Sequence, residues 1–269
     1  MRLRSLIKEW VFKKHIWIEK INSKVELEKF ISRFREKYVA CELLRIGGDG
    51  DGGYLVPNNL KDISHCYSPG VSFVASFEKE LADRYDIKSY MVDASVDKAP
   101  ISGYNFEFLP KYLGTFTNDK FITLADWLSD TSGCDETGKI LQMDIEGSEY
   151  DVLILEDAKT LASFSTIIIE FHSLEKLFDK NFLRMVSSIF EKIYKHFSIC
   201  HVHPNNCCGI AELDGFIVPR TMEVTFIRND YIEKCSTNKE IILPHILDRK
   251  NIDHIEDLVM PEIWWKKYY

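Results

Sequence analysis

The chain has 269 residues, 45% of them hydrophobic and 28% charged, with a formal net charge of −8. That length supports one large domain, or a domain with an extension, around a real core. The composition is that of an ordinary folded protein, and the acidic balance speaks against nucleic acid as a general partner. No apolar run approaches the roughly 18 residues that a membrane-crossing helix needs, so no integral membrane segment is read.

The basic N-terminus lacks an uninterrupted apolar stretch and a small-residue cleavage site, so it is not read as a signal peptide. Seven cysteines, an odd number with no C-x-x-C pair, read as reduced thiols of a cytoplasmic protein, not as a disulfide frame or zinc site.

Charge is unevenly spread. Residues 1–38 hold 11 Lys and Arg against 5 acids, leaving 23 against 37 of the totals of 34 and 42. This break separates an N-terminal extension, 1–38, from the main domain, 39–269. In the extension, apolar residues recur at Leu3, Leu6, Ile7, Trp10 and Val11, then at Ile16, Ile18, Ile21, Val25, Leu27, Phe30, Ile31 and Phe34. That mostly helical spacing predicts one or two helices packed on the main domain or on a second subunit, giving a homo-oligomer. A basic amphipathic helix on an anionic membrane surface is the other reading, and the scattered glutamates count against it.

From Leu44 to Pro57 the sequence reads LRIGGDGDGGYLVP. The flanks predict two short strands. The Asp-Gly pairs make a plain β-hairpin the simple reading; the functional one is a lid or floor, with Arg45, Asp51 and Tyr54 pointing into a site. An alternating pattern then begins. Strands are predicted over 65–71, 88–93, 105–114, 139–144, 165–172, 197–203 and 218–228. Helices are predicted over 76–84, with Ser76 as N-cap, and over 123–128, 149–155 and 182–196. Such alternation predicts an α/β fold, a seven-stranded, mostly parallel sheet with helices on both faces. The tail closes on Trp264 and Trp265 beside tyrosines, a composition suited to docking on the body.

The chemistry collects at strand ends, where open α/β sheets bind ligands. Gly70 follows the first strand of the alternation and Asp93 closes the next, the layout of a nucleoside site in which the acid accepts from ribose hydroxyls. The multi-glycine phosphate fingerprint is missing, which points from a dinucleotide towards S-adenosylmethionine. Asp144 and Glu146 end the fourth strand, Glu170 and His172 the fifth, His201 and His203 the sixth. Each i, i+2 pair faces one way. Carboxylates and imidazoles gathered there suit a general base or a divalent cation. Asp144 also reads as an N-cap of the helix behind it.

The segments RIGGDGDGGY (45–54), YSPGV (67–71), SFE (76–78), LQMDIEG (141–147), IEFH (169–172) and HVHPNN (201–206), in that order, resemble the FkbM-type S-adenosylmethionine-dependent methyltransferases, in particular the methyltransferase-like 24 branch. The resemblance covers roughly residues 40–230. It implies a Rossmann-like class I methyltransferase fold and O-methylation of a sugar hydroxyl, on a nucleotide-activated sugar or a surface polysaccharide precursor. It implies Asp144, His172 and His203 as catalytic candidates, His203 as a base. Asp144, Glu170 and His172 are candidate ligands of a divalent cation such as Mg, and Arg45, Tyr54, Gly70, Val71, Asp93 and Asp144 line the cofactor. The alternative is a non-catalytic scaffold on the same fold.

Overall fold

The computed structural model of the chain describes residues 2–16, 18, 20–131, 138–237 and 240–267, the side chains of 2–6 excepted. Cys134, the two final tyrosines and the side chains of Leu3 and Leu6 lie outside the described residues. The N-terminal part forms helices α1 (Arg2–Phe12) and α2 (Lys24–Glu36). A hairpin of β1 (Leu43–Ile46) and β2 (Tyr54–Pro57) follows, and the alternation starts with β3 (His65–Pro69), α3 (Ser76–Tyr85) and β4 (Lys88–Val92). Next come β5 (Glu107–Leu109), β6 (Tyr112–Leu113), β7 (Phe121–Ile122) and α4 (Leu124–Asp130). Then follow β8 (Lys139–Met143), α5 (Glu149–Leu155), α6 (Ala158–Ala162), β9 (Thr166–Phe171) and α7 (Lys180–Ile193). The chain closes through β10 (Phe197–Pro204), β11 (Ile210–Leu213), β12 (Phe216–Pro219), β13 (Met222–Arg228) and α8 (Ile232–Cys235).

Seven strands make the central sheet, in the order β10-β13-β9-β8-β3-β4-β5. All the pairings from β9 to β5 are parallel, and β13 alone runs antiparallel to both of its neighbours. The sheet is therefore the seven-stranded, mostly parallel one that the sequence predicts. Its order reverses at β3 and β8, which send their crossovers to opposite sides. A crevice opens beyond the carboxyl ends of strands at such a switch point.

Strand alternation sorts the core. Cys66, Ile140 and Ile168 face the β1–β2 hairpin and α3, joining Tyr54, Val56, Phe77 and Leu81 in one cluster. Tyr67, Leu141, Ile167 and Ile169 face the other way, towards α2, α5 and α7. On that side Leu27, Phe30, Ile31 and Phe34 of α2 are buried in the main core. The C-terminal tail closes it: Trp264 is fully buried, edge-on to Phe30 and Phe34, and its Nε1 donates to the Ile217 carbonyl. In α1, by contrast, Ile7 and Trp10 are exposed.

Several local readings need correction. The predicted strand 218–228 is two: β12 ends at Pro219, and the chain re-enters the sheet at Met222 after forming a separate hairpin with β11. A proline lacks the N–H that a central strand would need to continue. Ala75, not Ser76, occupies the N-cap of α3. The Ser76 hydroxyl instead donates to the Gly52 carbonyl and accepts from the Gly48 amide, tying the glycine-rich loop to the helix. The adjacent Cys207 and Cys208 form a disulfide, so those two are not free thiols; Cys41, Cys66, Cys200 and Cys235 are free and buried.

Candidate active site

The crevice at the switch point holds two adjoining cavities. The larger, about 520 Å3, runs from Gly70, Ser72 and Asp93 past Tyr112, Leu113 and Phe121 to Asp144 and Glu146. The smaller, about 230 Å3, shares Gly70, Ser72, Asp144 and Glu146 and extends to Asp51, Tyr54, Val71, Glu78 and Gln142. Gly70 lies where they meet, with φ +88, and a Cβ there would stand 1.6 Å from the Asp144 carbonyl oxygen. The glycine therefore lets the turn after β3 pass directly against the end of β8.

Asp93 caps β4 inside the larger cavity. Its Oδ2 accepts from the Ser72 amide and its Oδ1 from the Ser95 amide, both at 2.7 Å. These bonds fix the carboxylate and leave further lone pairs towards the cavity. On the hairpin, Tyr54 stacks edge-on against Phe77, and its hydroxyl accepts from Gln142 Nε2 at 3.0 Å. Arg45 does not reach either cavity. It donates to the Gly48 and Gly50 carbonyls and braces the glycine-rich loop from within. That loop is a hairpin connection, and it also presents Asp51 to the smaller cavity.

The centre of the site is a histidine among carboxylates. His172 Nδ1 lies 3.0 Å from Glu149 Oε1, and its Nε2 lies 3.5 Å from Glu146 and 3.8 Å from both Asp144 and Glu170. Glu149 is fully buried at the start of α5, where its Oε1 also accepts from the Gly147 and Ile145 amides. Asp144 is thus not the helix cap; Glu149 satisfies those amides. The Tyr150 hydroxyl donates to the His172 carbonyl and holds the strand end in place.

Burial pushes the Asp144 carboxyl up to about 7, with Glu146, Glu149 and Asp51 adding repulsion against the opposing pull of His172. Its Oδ1 has no hydrogen-bond partner among the described residues. Burial pulls the His172 imidazole down, yet Glu149, Asp144 and Glu146 together outweigh it and hold its pKa above the ordinary value. Glu170 is pushed well above the usual carboxylate range by burial, Asp144 and Glu223.

The structure therefore joins Asp144 with His172 and brings in Glu149, which the sequence reading left as a plain helical residue. Asp144, Glu149 and His172 each offer a donor atom, all within 4.8 Å of one another. Glu170 stands outside that trio and turns its Oε1 to Asn205 Nδ2 at 2.8 Å. His203 lies apart from both cavities, between Glu223 and Asp257 at 3.7 Å each. The sheet explains why: His203 pairs across β13 with Glu223, which in turn pairs with Glu170. His201 is held by Asp248 at 2.9 Å and lines a separate cavity with Cys41 and Cys200. Glu78, Gln142, Tyr112 and Phe121 line the two cavities and are not among the residues that the sequence reading singled out for the site. The available signals were Gln142, two residues before Asp144 on the same face of its strand, and Glu78 within the SFE segment.

Residues 103–196 match the family model described as the methyltransferase FkbM domain. The match contains Asp144, Glu149, Glu170 and His172 and stops short of Gly70, Asp93 and His203. No curated protein matches the chain. Among solved structures it is similar to the fibrillarin pre-rRNA processing protein of Methanococcus jannaschii, at 13% identity over 63% of this chain and 68% of that one, TM-score 0.37. It is also similar to the spermidine synthase of Thermotoga maritima, at 8% identity over 79% and 78%, TM-score 0.36. A third is the N-methyltransferase NodS of Bradyrhizobium japonicum, at 9% identity over 77% and 96%, TM-score 0.31.

Proposed function

We propose, from the premise that the chain carries an FkbM methyltransferase domain and is an S-adenosylmethionine-dependent methyltransferase, that it methylates a hydroxyl of a saccharide, with Asp144 as the general base. The observation that carries this reading is Asp144 itself, which borders both cavities with a carboxyl pushed up to about 7. A base works best when its pKa lies near the working pH.

The larger cavity fits the cofactor. It offers the Gly70 turn, the anchored Asp93 carboxylate and an apolar wall from Leu113 and Phe121, in a volume suited to a molecule of that size. S-adenosylmethionine supplies an electrophilic methyl group when bound. Asp93 would hold its ribose, with Gly70 along its backbone side and Val71 on the adjoining wall of the smaller cavity. The acceptor then lies in the smaller cavity, beside Tyr54 and Gln142. Asp144 takes the hydroxyl proton. His172, kept in one orientation by Glu149, stabilises the Asp144 carboxylate before that transfer. The rest of the rate comes from positioning.

The acceptor class follows from the lining. Asp51, Glu78, Asp93, Asp144 and Glu146 border the two cavities, and among the described residues neither is lined by Lys, Arg or His. A diphosphate at the reacting end would face these carboxylates unscreened. A neutral saccharide hydroxyl, as in a polysaccharide precursor, suits the lining better than a nucleotide-activated sugar.

A second reading is favoured by the trio of Asp144, Glu149 and His172, whose donor atoms lie within 4.8 Å of one another and whose Glu149 Oε2 is buried without a hydrogen-bond partner among the described residues. A divalent cation such as Mg suits such a mixed oxygen and nitrogen set. One experiment separates the two: methyl transfer from labelled S-adenosylmethionine to neutral glycans and nucleotide sugars, with and without exhaustive chelation. Turnover of glycans that survives chelation supports Asp144 as base. Loss restored by Mg supports the cation. Absence of saturable S-adenosylmethionine binding by calorimetry would sink both.

A further inference from the structure

Among its described side chains, the N-terminal helix α1 contributes none to the site or the core. Ile7 and Trp10, one turn apart, are 50% and 63% exposed, while α2 buries Leu27, Phe30, Ile31 and Phe34 in the main cluster and leaves Val25 exposed. Past α1, Ile16 and Ile18 are exposed as well. Over residues 1–21 the chain carries six Lys and Arg and only two acids. The glutamates that temper the charge of the wider extension lie mostly further on, in and around α2. We propose that α1 is an interfacial helix that binds an anionic lipid surface, with Ile7 and Trp10 inserted and the Lys residues on the headgroups.

Two arguments select lipid over a second copy of the chain. An 11-residue helix is about 16 Å long, so a helix-to-helix contact covers only a few hundred Å2, well short of the roughly 1,000 Å2 of a specific interface. A lipid surface needs no matching partner face, and it accepts a tryptophan at the headgroup level as readily as a basic flank. Each Lys or Arg near an anionic surface raises affinity about fivefold, so the surplus of four positive charges outweighs the marginal grip of a short apolar face.

The test is vesicle flotation of the full chain, with phosphatidylcholine alone and with about one third phosphatidylglycerol. The wild type floats at least about tenfold more with the anionic vesicles, and about 0.5 M salt abolishes the difference. Ile7→Ser with Trp10→Ala lowers flotation about tenfold while the melting temperature and S-adenosylmethionine binding stay unchanged. Lys8→Glu with Lys13→Glu does the same without touching an apolar residue. Equal flotation with both vesicle types, or a variant that floats like the wild type, overturns the proposal. So does a wild-type dimer in sedimentation that the Ile7/Trp10 variant dissociates, since the face would then belong to a second copy.

Discussion

Replacing Asp144 with Asn should abolish methyl transfer and yet make the protein more stable at alkaline pH. The carboxyl is 23% exposed, carries an unpartnered oxygen and sits among three other acids. Its pKa rises from the ordinary 3.8 to about 7. Between those values the native state keeps a proton that the unfolded chain has already released, so this group's contribution to stability falls as pH rises through the window. At 1.36 kcal/mol per pH unit the full rise corresponds to about 4 kcal/mol. His172 shares the same charge and would be left less well paired, so about 2 kcal/mol is the working figure. For a chain of this length that is a gain of roughly 4–8 °C in melting temperature at pH 8. At pH 5 the native Asp144 is already protonated and the gain should be under about 1 kcal/mol. Thermal melts of both proteins at pH 5 and pH 8, without ligand, measure the difference. A variant that melts below the wild type at pH 8, or gains equally at both pH values, refutes the reasoning.

If Asp144 is the base, turnover falls about tenfold per pH unit below about 7 and levels off above it; a flat profile between pH 5 and 8 excludes it. Gly70→Ala forces a Cβ into the Asp144 carbonyl at φ +88 and should cost more than about 3 kcal/mol in a urea titration, where a loss under about 0.5 kcal/mol would contradict the close approach. Glu149→Gln keeps the shape but removes the charge that holds His172, so the His172 pKa should drop by NMR titration and turnover should fall about tenfold or more. An unmoved imidazole would leave Glu149 as a helix cap alone. Trp264→Ala should cost about 3–5 kcal/mol because the indole is fully buried against α2; a melting temperature within about 2 °C of wild type would deny that docking.

The sheet was legible because fully buried parallel strands read as unbroken apolar runs. Ser165–Phe171 could hardly be anything else, and the acids that interrupt such runs mark their open ends. The β11–β12 hairpin was not read, although Asp214-Gly215 is its turn signal, because Val218 to Arg228 looks continuous until Pro219 is weighed. At the candidate site, the placement of Asp144, His172 and Asp93 at neighbouring strand ends was readable. Glu149 was not, because a helix that curls back on its own strand end brings a first-turn acid under the next strand, and spacing along the sequence does not carry that. Arg45 and His203 show the reverse. Their types suggested a site, but the loop carbonyls of Gly48 and Gly50 claim one, and Glu223 with the tail residue Asp257 holds the other.

The docking of Trp264 on α2 has a consequence for how the molecule assembles. Arg35 Nη1 donates to the Ile263 carbonyl and Lys267 to the Tyr38 carbonyl, across 228 and 229 positions of chain. One helix near the beginning thus has its outer side completed by residues near the end. During synthesis Phe30 and Phe34 must wait for that cover until Trp264 has emerged, and contacts of such long sequence separation form late. Until then an aromatic face stays open to other nascent chains. A chain cut before Pro261 would keep every strand of the sheet and still carry that exposed face permanently, so it should aggregate rather than merely melt earlier.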